Sequence, residues 1–173
     1  AQPNYAGLRD GFVASLNSNL SVLNWATYIG GTGDDVSYSI QLDSRNNNIF
    51  VCGGTTSTQL PATASGLNPT YRGGSADGFI TKLSSTGTSF LNTTFIGTPD
   101  YDQSYLMDLD KNNDVYVFGQ TNGDYPVSGG VYSNAGANQF IHKLNNNLTT
   151  TMFSTVFGSP KSSSINNSLS SLL

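Results

Sequence analysis

Asp77-Gly78-Phe79-Ile80-Thr81-Lys82-Leu83 is the stretch around which this 173-residue chain is organised. It occurs earlier as Asp10-Gly11-Phe12-Val13-Ala14-Ser15-Leu16 and later, with more changes, as Asn138-Gln139-Phe140-Ile141-His142-Lys143-Leu144. The three phenylalanines are 67 and 61 residues apart, and each lies 18 residues before a glycine, at Gly30, Gly97 and Gly158. One spacing kept in three copies indicates an internal repeat.

The segments between these copies have the pattern of short strands and tight turns. Phe12, Ala14 and Leu16 alternate with Val13 and Ser15, which predicts a half-buried strand with the first three on its buried face. Residues 49–52 are apolar throughout and match 115–118, so this strand should be buried on both faces. Asn-rich segments follow the preceding strands and favour hairpin turns, and no stretch has a helical period.

Four antiparallel strands in each repeat are typical of a propeller blade. We therefore predict an all-β fold of antiparallel four-stranded β-propeller blades, with about two full blades plus flanking strands in one domain. The strand near Tyr38 should be innermost and the one holding Phe95 outermost. The predicted division is residues 1–35 (outer strands of a first blade), 36–97 (second blade), 98–158 (third blade) and 159–173 (start of a fourth). These incomplete ends predict a segment of a longer polypeptide.

Composition excludes some partners. Seven basic residues are scattered through a chain with net charge −4 and a pI near 4.5, so nucleic acid and anionic membranes are not expected partners. The single cysteine, Cys52, lies in an apolar run and should be a buried, inert thiol. No stretch has the length and hydrophobicity of a transmembrane segment.

Carboxylates form two candidate sites. Asp34 and Asp35 follow a glycine-rich turn and would suit cation binding or acid–base chemistry, although turn-stabilising hydrogen bonds alone also explain them. Asp108, Asp110 and Asp114 have the spacing that begins a calcium loop, but the glycine and the final glutamate of such a loop are missing. We therefore expect no cofactor, with calcium as the ion that these residues would bind if any.

The remaining candidates lie in other segments. His142 has no second histidine or cysteine nearby to form a zinc site, and a strand position explains it. Most tyrosines occupy repeat-equivalent positions, where packing explains them. Two long links, 56–76 and 122–137, join the second and third strands of their blades, and surface links are where binding residues collect. The candidate ligand-binding residues in them are Tyr71, Arg72, Tyr125 and Tyr132.

The repeat resembles that of a known family. The first copy contains Trp25, Gly30, Gly31, Gly33, Asp34, Asp35, Asp43, Val51, Gly53 and Pro61, in an order that resembles the SBBP repeat of bacterial β-propellers. The resemblance implies an extracellular location in a large exported surface protein, as found in Bacteroidota, sometimes linked with gliding motility and type IX secretion. The second copy departs from the pattern at 98–102, so any role of the paired aspartates is not common to all blades.

Three functions remain open. The first is a non-enzymatic scaffold or adhesion module that binds a surface protein or polysaccharide through its blade-face loops, beside the remaining blades or domains of the same polypeptide. The second is a carbohydrate-active enzyme, a glycoside hydrolase or lyase, with Asp34, Asp35, Asp100 and Asp102 as its candidate carboxylates. The third is a structural spacer in an extracellular assembly. Because no convincing catalytic constellation is present, we expect the first rather than an enzyme.

Overall fold

The structure is a computed structural model that describes residues 1–160, and this part of the chain consists of strands joined by turns and links, without a helix. Its ten strands are β1 (Gly11–Leu16), β2 (Leu23–Ile29), β3 (Asp35–Leu42), β4 (Ile49–Thr55), β5 (Asp77–Leu83), β6 (Phe90–Ile96), β7 (Asp102–Leu109), β8 (Val115–Thr121), β9 (Ala137–Leu144) and β10 (Thr151–Pro160). Accordingly, residues 1–160 contain no helical segment with the length and hydrophobicity needed to span a membrane.

The strands form three antiparallel sheets. β1 pairs with β2, the next four strands form one sheet in the order β3-β4-β5-β6, and the last four form another in the order β7-β8-β9-β10. Each four-stranded sheet is a meander, because consecutive strands are neighbours. The predicted all-β fold with four-stranded antiparallel blades is thus confirmed.

The two four-stranded sheets have defined bounds in the chain. The second sheet spans 35–96 and the third spans 102–160, and residues 159 and 160 therefore extend β10 instead of starting a fourth blade. The rest of that predicted fourth blade, residues 161–173, lies outside the described residues.

The two complete sheets repeat each other down to their irregularities. Both have a register shift in the first strand pair, between Ser37 and Ser39 in one sheet and between Ser104 and Leu106 in the other. Both also place a glycine directly opposite the repeat phenylalanine. A Cβ atom built on Gly53 would lie 2.8 Å from the Phe79 ring, so the ring occupies the space that a side chain would need.

The innermost strands stack one blade on the next. β7 packs against β3, β4 and β5 of the preceding sheet. The side chain of Gln41 on β3 donates a hydrogen bond from Nε2 to the carbonyl oxygen of Met107 on β7, at 3.2 Å. Between the two sheets lies an apolar core that includes Cys52, Ile80 and Ile96 from one sheet and Met107 and Val117 from the other.

Burial confirms two predictions and corrects a third. Residues 49–52 are at most 4% exposed, and burial raises the pKa of the Cys52 thiol to about 12, as expected of an inert thiol. In β1, however, Phe12 is 67% exposed while Val13 is 6% exposed, so the predicted apolar face was assigned to the wrong side of this strand. Alternation identifies two faces, but the neighbouring elements decide which face is covered.

The two long links are not free loops. Residues 56–76 run along the outer edge of β6, where Ala62 and Asn68 accept backbone hydrogen bonds from Thr93 and Phe95, each within 3.0 Å. The second link covers β10 with the opposite polarity, because the backbone N–H groups of Ser128 and Asn134 donate to the carbonyl oxygens of Ser154 and Val156, each at 2.9 Å. An outermost strand would otherwise present unpaired backbone groups, and these links satisfy some of them.

Candidate functional site

The predicted pair Asp34 and Asp35 separates in the structure. The Asp35 carboxylate is buried and accepts hydrogen bonds from the backbone N–H of Gly31 and the Ser57 hydroxyl, both at 2.8 Å, and from the Thr55 hydroxyl. Asp34 faces solvent, where it forms an exposed ion pair with Arg9 at 3.4 Å. The two carboxylates therefore do not form one site, and Asp35 serves to close the glycine-rich turn.

Asp35 instead comes close to Asp10, which lies 25 residues earlier in the sequence. A Cβ atom built on Gly30 would lie 2.7 Å from Asp10 Oδ1 and 2.9 Å from Asp35 Oδ2. The next blade repeats this arrangement around Gly97, whose Cβ would lie 2.7 Å from Asp77 Oδ1 and 2.9 Å from Asp102 Oδ2. We call these the inter-blade carboxylate pairs, and the glycine between each pair allows the approach.

Burial favours the protonated, neutral form of the carboxyl groups in the Asp77–Asp102 pair. Asp77 and Asp102 are both fully buried. Asp77 accepts a hydrogen bond from the Arg72 backbone N–H, but its Oδ1 has no partner among the described residues. Burial raises the pKa of Asp77 to about 7, with a further contribution from the nearby Asp102 charge, and burial also raises the pKa of Asp102. Two carboxyl groups this close favour retention of a proton.

This proton makes a testable contribution to stability. The pKa of Asp77 is raised in the folded state. The stability that the protonated Asp77 carboxyl contributes is therefore fully present below pH 4 and is lost as the pH rises through about 7. We expect the variant Asp77→Asn to gain melting temperature relative to wild type between pH 5 and pH 8. Asn138 occupies the equivalent position in the third copy, so this side chain suits the site.

The measurement is a thermal melt of both proteins at several pH values. Burial lowers the pKa of His142 to about 4, so protonation of His142 in the unfolded state destabilises the fold as the pH falls. This effect is the same in both proteins, so the difference between their melting temperatures reports on Asp77. Asp108→Asn, which makes the same substitution at an exposed carboxylate, is the matched control. A constant difference for Asp77→Asn across this range would contradict the prediction.

The predicted calcium residues have separate partners. The Asp110 carboxylate forms an ion pair with Lys143 at 2.7 Å, and this bond holds its pKa below the ordinary value. Asp114 accepts a hydrogen bond from the Asn146 backbone N–H at 3.1 Å, whereas Asp108 is exposed on β7. Among residues 1–160, no three histidine, cysteine, aspartate or glutamate side chains come together as a metal site would require.

Tyr125 is part of the core and not of a binding surface. Its ring stacks on Phe140 with centroids 4.1 Å apart, and its hydroxyl lies 2.8 Å from His142 Nδ1. The other ring nitrogen of His142 lies 2.8 Å from the Thr151 hydroxyl. The structure therefore removes Tyr125 from the candidate ligand-binding residues, and His142 is a neutral, hydrogen-bonded side chain near neutral pH.

The other three link candidates differ in accessibility. Tyr71 is half-buried, with its ring edge against Phe95 and its hydroxyl donating to the Gly74 carbonyl oxygen at 3.2 Å. The Arg72 side chain is exposed, and Tyr132 is 79% exposed. Arg72 and Tyr132 thus remain available to a ligand.

The structure adds a cluster of three tyrosines that we did not predict as a site. The rings of Tyr38 on β3 and Tyr105 on β7 are 5.2 Å apart, and the hydroxyls of Tyr101 and Tyr105 are 3.3 Å apart. Tyr38 is 46% exposed, and burial raises the pKa of Tyr105. Equivalent repeat positions were visible in the sequence, but only the stacking of the blades brings Tyr38 beside Tyr105. We call these residues the tyrosine cluster.

These stacked, antiparallel four-stranded sheets define a protein built from β-propeller blades. Residues 24–61 match the family model described as SBBP, a beta-propeller repeat. The match runs from the start of β2 to the first link and covers the copy whose motifs are most complete. No curated protein matches the chain.

Proposed function

We propose that this chain is a non-enzymatic scaffold or adhesion module of a larger bacterial surface or secreted protein. It binds an extracellular protein or polysaccharide at the end of the blades where the long links lie. The tyrosine cluster is the observation that carries this proposal, because two adjacent blades contribute to one partly exposed aromatic surface. The resemblance to the repeats of exported propellers supports the extracellular location.

Arg72 lies in the link that approaches the segment before Tyr101. The backbone around Gly74 is packed against Asp100, which directly precedes Tyr101. The exposed Arg72 side chain is therefore on the same end of the blades as the tyrosines. Tyrosine and arginine are the residues that dominate binding energy at many protein interfaces, because they offer large contact area with polar tips.

The carboxylates support a scaffold over an enzyme. Asp35 and Asp102, two of the four carboxylates considered for catalysis, are buried and accept several hydrogen bonds each. General acid–base residues must reach a substrate proton within hydrogen-bond distance. Asp35 and Asp102 instead hold the turns that connect one blade to the next.

The test compares two tyrosines of similar exposure. Affinity electrophoresis through gels containing neutral or acidic polysaccharides would measure binding by wild type, Tyr38→Ala and the control Tyr28→Ala, since Tyr28 is 38% exposed on β2. We expect Tyr38→Ala to weaken retention at least about tenfold, as for an interface hot spot, and Tyr28→Ala to change it little. Equal retention of the two variants would contradict the proposed site.

The same samples test the other two functions. New reducing ends or unsaturated products from any polysaccharide would indicate an enzyme and contradict the proposal. If no polysaccharide retains the protein, the partner of the proposed site would be a protein. Binding of wild type and the same two variants to immobilised surface proteins would then be measured. A lack of binding there as well would favour the spacer.

A further inference from the structure

Lys82 on β5 is a buried lysine whose side chain reaches the next blade. Its Nζ donates hydrogen bonds to Asn146 Oδ1 at 2.5 Å and to the Asn146 carbonyl oxygen at 3.3 Å, in the turn between β9 and β10. Lys82 is only 7% exposed, and its ammonium group lies over the Phe50 ring, 5.1 Å from the centroid. The end of this lysine is therefore enclosed by an aromatic ring and a side-chain amide.

The equivalent lysine in the third copy has a different partner. Lys143 forms an ion pair with Asp110 at 2.7 Å, and the hydrogen bond to Asp110 raises its pKa. The matching carboxylate for Lys82 is Asp43, which follows β3 as Asp110 follows β7. Within residues 1–160, however, no carboxylate forms an ion pair with Lys82. Burial lowers the pKa of Lys82, and the Asp43 charge only partly opposes this. The neutral, nucleophilic amine is therefore more accessible at Lys82 than at Lys143.

The amide of Asn146 is held in place by its other contacts. Its backbone N–H donates to Asp114 Oδ1 at 3.1 Å, and its side-chain Nδ2 donates to the Asn113 carbonyl oxygen at 2.7 Å. These bonds leave Oδ1 and the amide carbon Cγ beside Lys82. Because a C=O bond is about 1.23 Å long, Nζ lies within about 3.7 Å of Cγ, near the separation of about 3–3.5 Å from which reacting atoms combine. An amine and an amide carbon are thus held together.

We propose that Lys82 and Asn146 form an intramolecular isopeptide bond that joins the two complete blades. The neutral Lys82 amine adds through Nζ to Cγ of Asn146, the Cγ–Nδ2 bond breaks, and Nδ2 leaves as ammonia with the proton that Nζ releases. Nothing is oxidised or reduced, and no further reactant is consumed. Asp43, the carboxylate whose charge acts on Lys82, carries the proton from Nζ to Nδ2. Asn146 is partly exposed, which gives the ammonia a route to solvent.

The bond would have the role that a disulfide has in other extracellular domains. Cys52 is the only cysteine of the chain, so no disulfide can join these two blades. Lys82 and Asn146 are 64 residues apart, and a covalent bond between them closes a long loop and restricts the unfolded chain. It therefore stabilises the stacking of one blade on the next. This inference does not depend on what the tyrosine cluster binds.

Intact mass spectrometry of the complete, denatured 173-residue chain tests the bond directly. We expect wild type to be lighter than its sequence mass by one molecule of ammonia and Lys82→Arg to have its full mass. The matched control is Lys143→Arg, at the equivalent lysine, which should be as light as wild type. A tryptic digest of wild type should lack cleavage after Lys82 and contain a branched peptide that links Lys82 to Asn146. This peptide identifies the bond even if a variant does not fold.

Two results would overturn the proposal. One is a full sequence mass for wild type. The other is the same loss of ammonia in Lys82→Arg without a branched peptide in wild type, because the ammonia would then come from closure of an asparagine on its own backbone.

The variant Asp43→Asn tests the proton carrier. The new side chain can still accept the hydrogen bond that the Arg45 backbone N–H donates at this turn. In samples taken over time after cell-free synthesis, the lighter chain should form at least about a hundredfold more slowly than in wild type, as for the loss of a general acid–base group. An unchanged rate would contradict the role assigned to Asp43.

Discussion

Phe79→Ala is expected to lower the free energy of unfolding by about 3–5 kcal/mol, whereas Phe12→Ala at the equivalent repeat position should change it by less than about 0.5 kcal/mol. The Phe79 ring is fully buried and packs with Val51, Leu83 and Phe95. Its removal leaves a cavity and loses the transfer free energy of an aromatic ring. Phe12 is largely exposed, so its removal leaves no cavity.

Urea denaturation followed by tryptophan fluorescence and circular dichroism measures both variants against wild type. The comparison is well matched, because the same substitution is made at two copies of one sequence motif. Phe140→Ala, at the fully buried third copy, should behave like Phe79→Ala. Similar losses for Phe12→Ala and Phe79→Ala would show that Phe12 is covered in solution and would contradict the prediction.

Gly53→Val should be the second severe change, with a loss of at least about 3 kcal/mol, at or beyond the upper end of the usual cost of overpacking. A Cβ atom at this position would lie only 1.8 Å from the Val36 carbonyl oxygen and 2.8 Å from the Phe79 ring. The carbonyl belongs to β3 and cannot turn away without disturbing its pairing with β4. Relief of the clash therefore requires movement of the backbone and the core together.

The control for this prediction is Gly129→Val. Nothing lies within 4 Å of a Cβ atom built on Gly129, and its backbone is not in the left-handed region. Equilibrium urea unfolding should give a midpoint close to wild type for this control and a much lower midpoint, or a failure to fold, for Gly53→Val. A wild-type midpoint for Gly53→Val would mean that the ring and the carbonyl can both move, and it would contradict the prediction.

The repeat explains why the strands and their order were predictable. Alternating or continuous apolar runs, separated by Asn- and Gly-rich turns, specify short strands through local chemistry. Tight turns make the first and second strands of a blade neighbours, and likewise the third and fourth, while the repeat predicts that the long links join the two middle strands. Even the apolar run at 49–52 was correctly predicted to be buried on both faces.

The side that a strand buries was less predictable. Phe12 and Phe79 occupy the same motif, yet Phe12 is exposed and Phe79 is buried, because within residues 1–160 a second strand lies beside Phe79 and not beside Phe12. Tyr125 lies in a link that sequence suggested was open surface, but the link returns to the sheet and stacks this ring on Phe140. Local sequence does not contain these outcomes, since each depends on a neighbour far away along the chain.

By itself, the sequence determined the all-β class, the four-strand repeat and the turns, because these depend on residues close together in the chain. Only the tertiary structure decided which polar groups meet. Asp77 approaches Asp102 around Gly97, and Tyr38 approaches Tyr105, because one blade stacks on the next. That stacking depends on the fit of whole sheet faces, so no local pattern of residues could predict the carboxylate pairs or the tyrosine cluster.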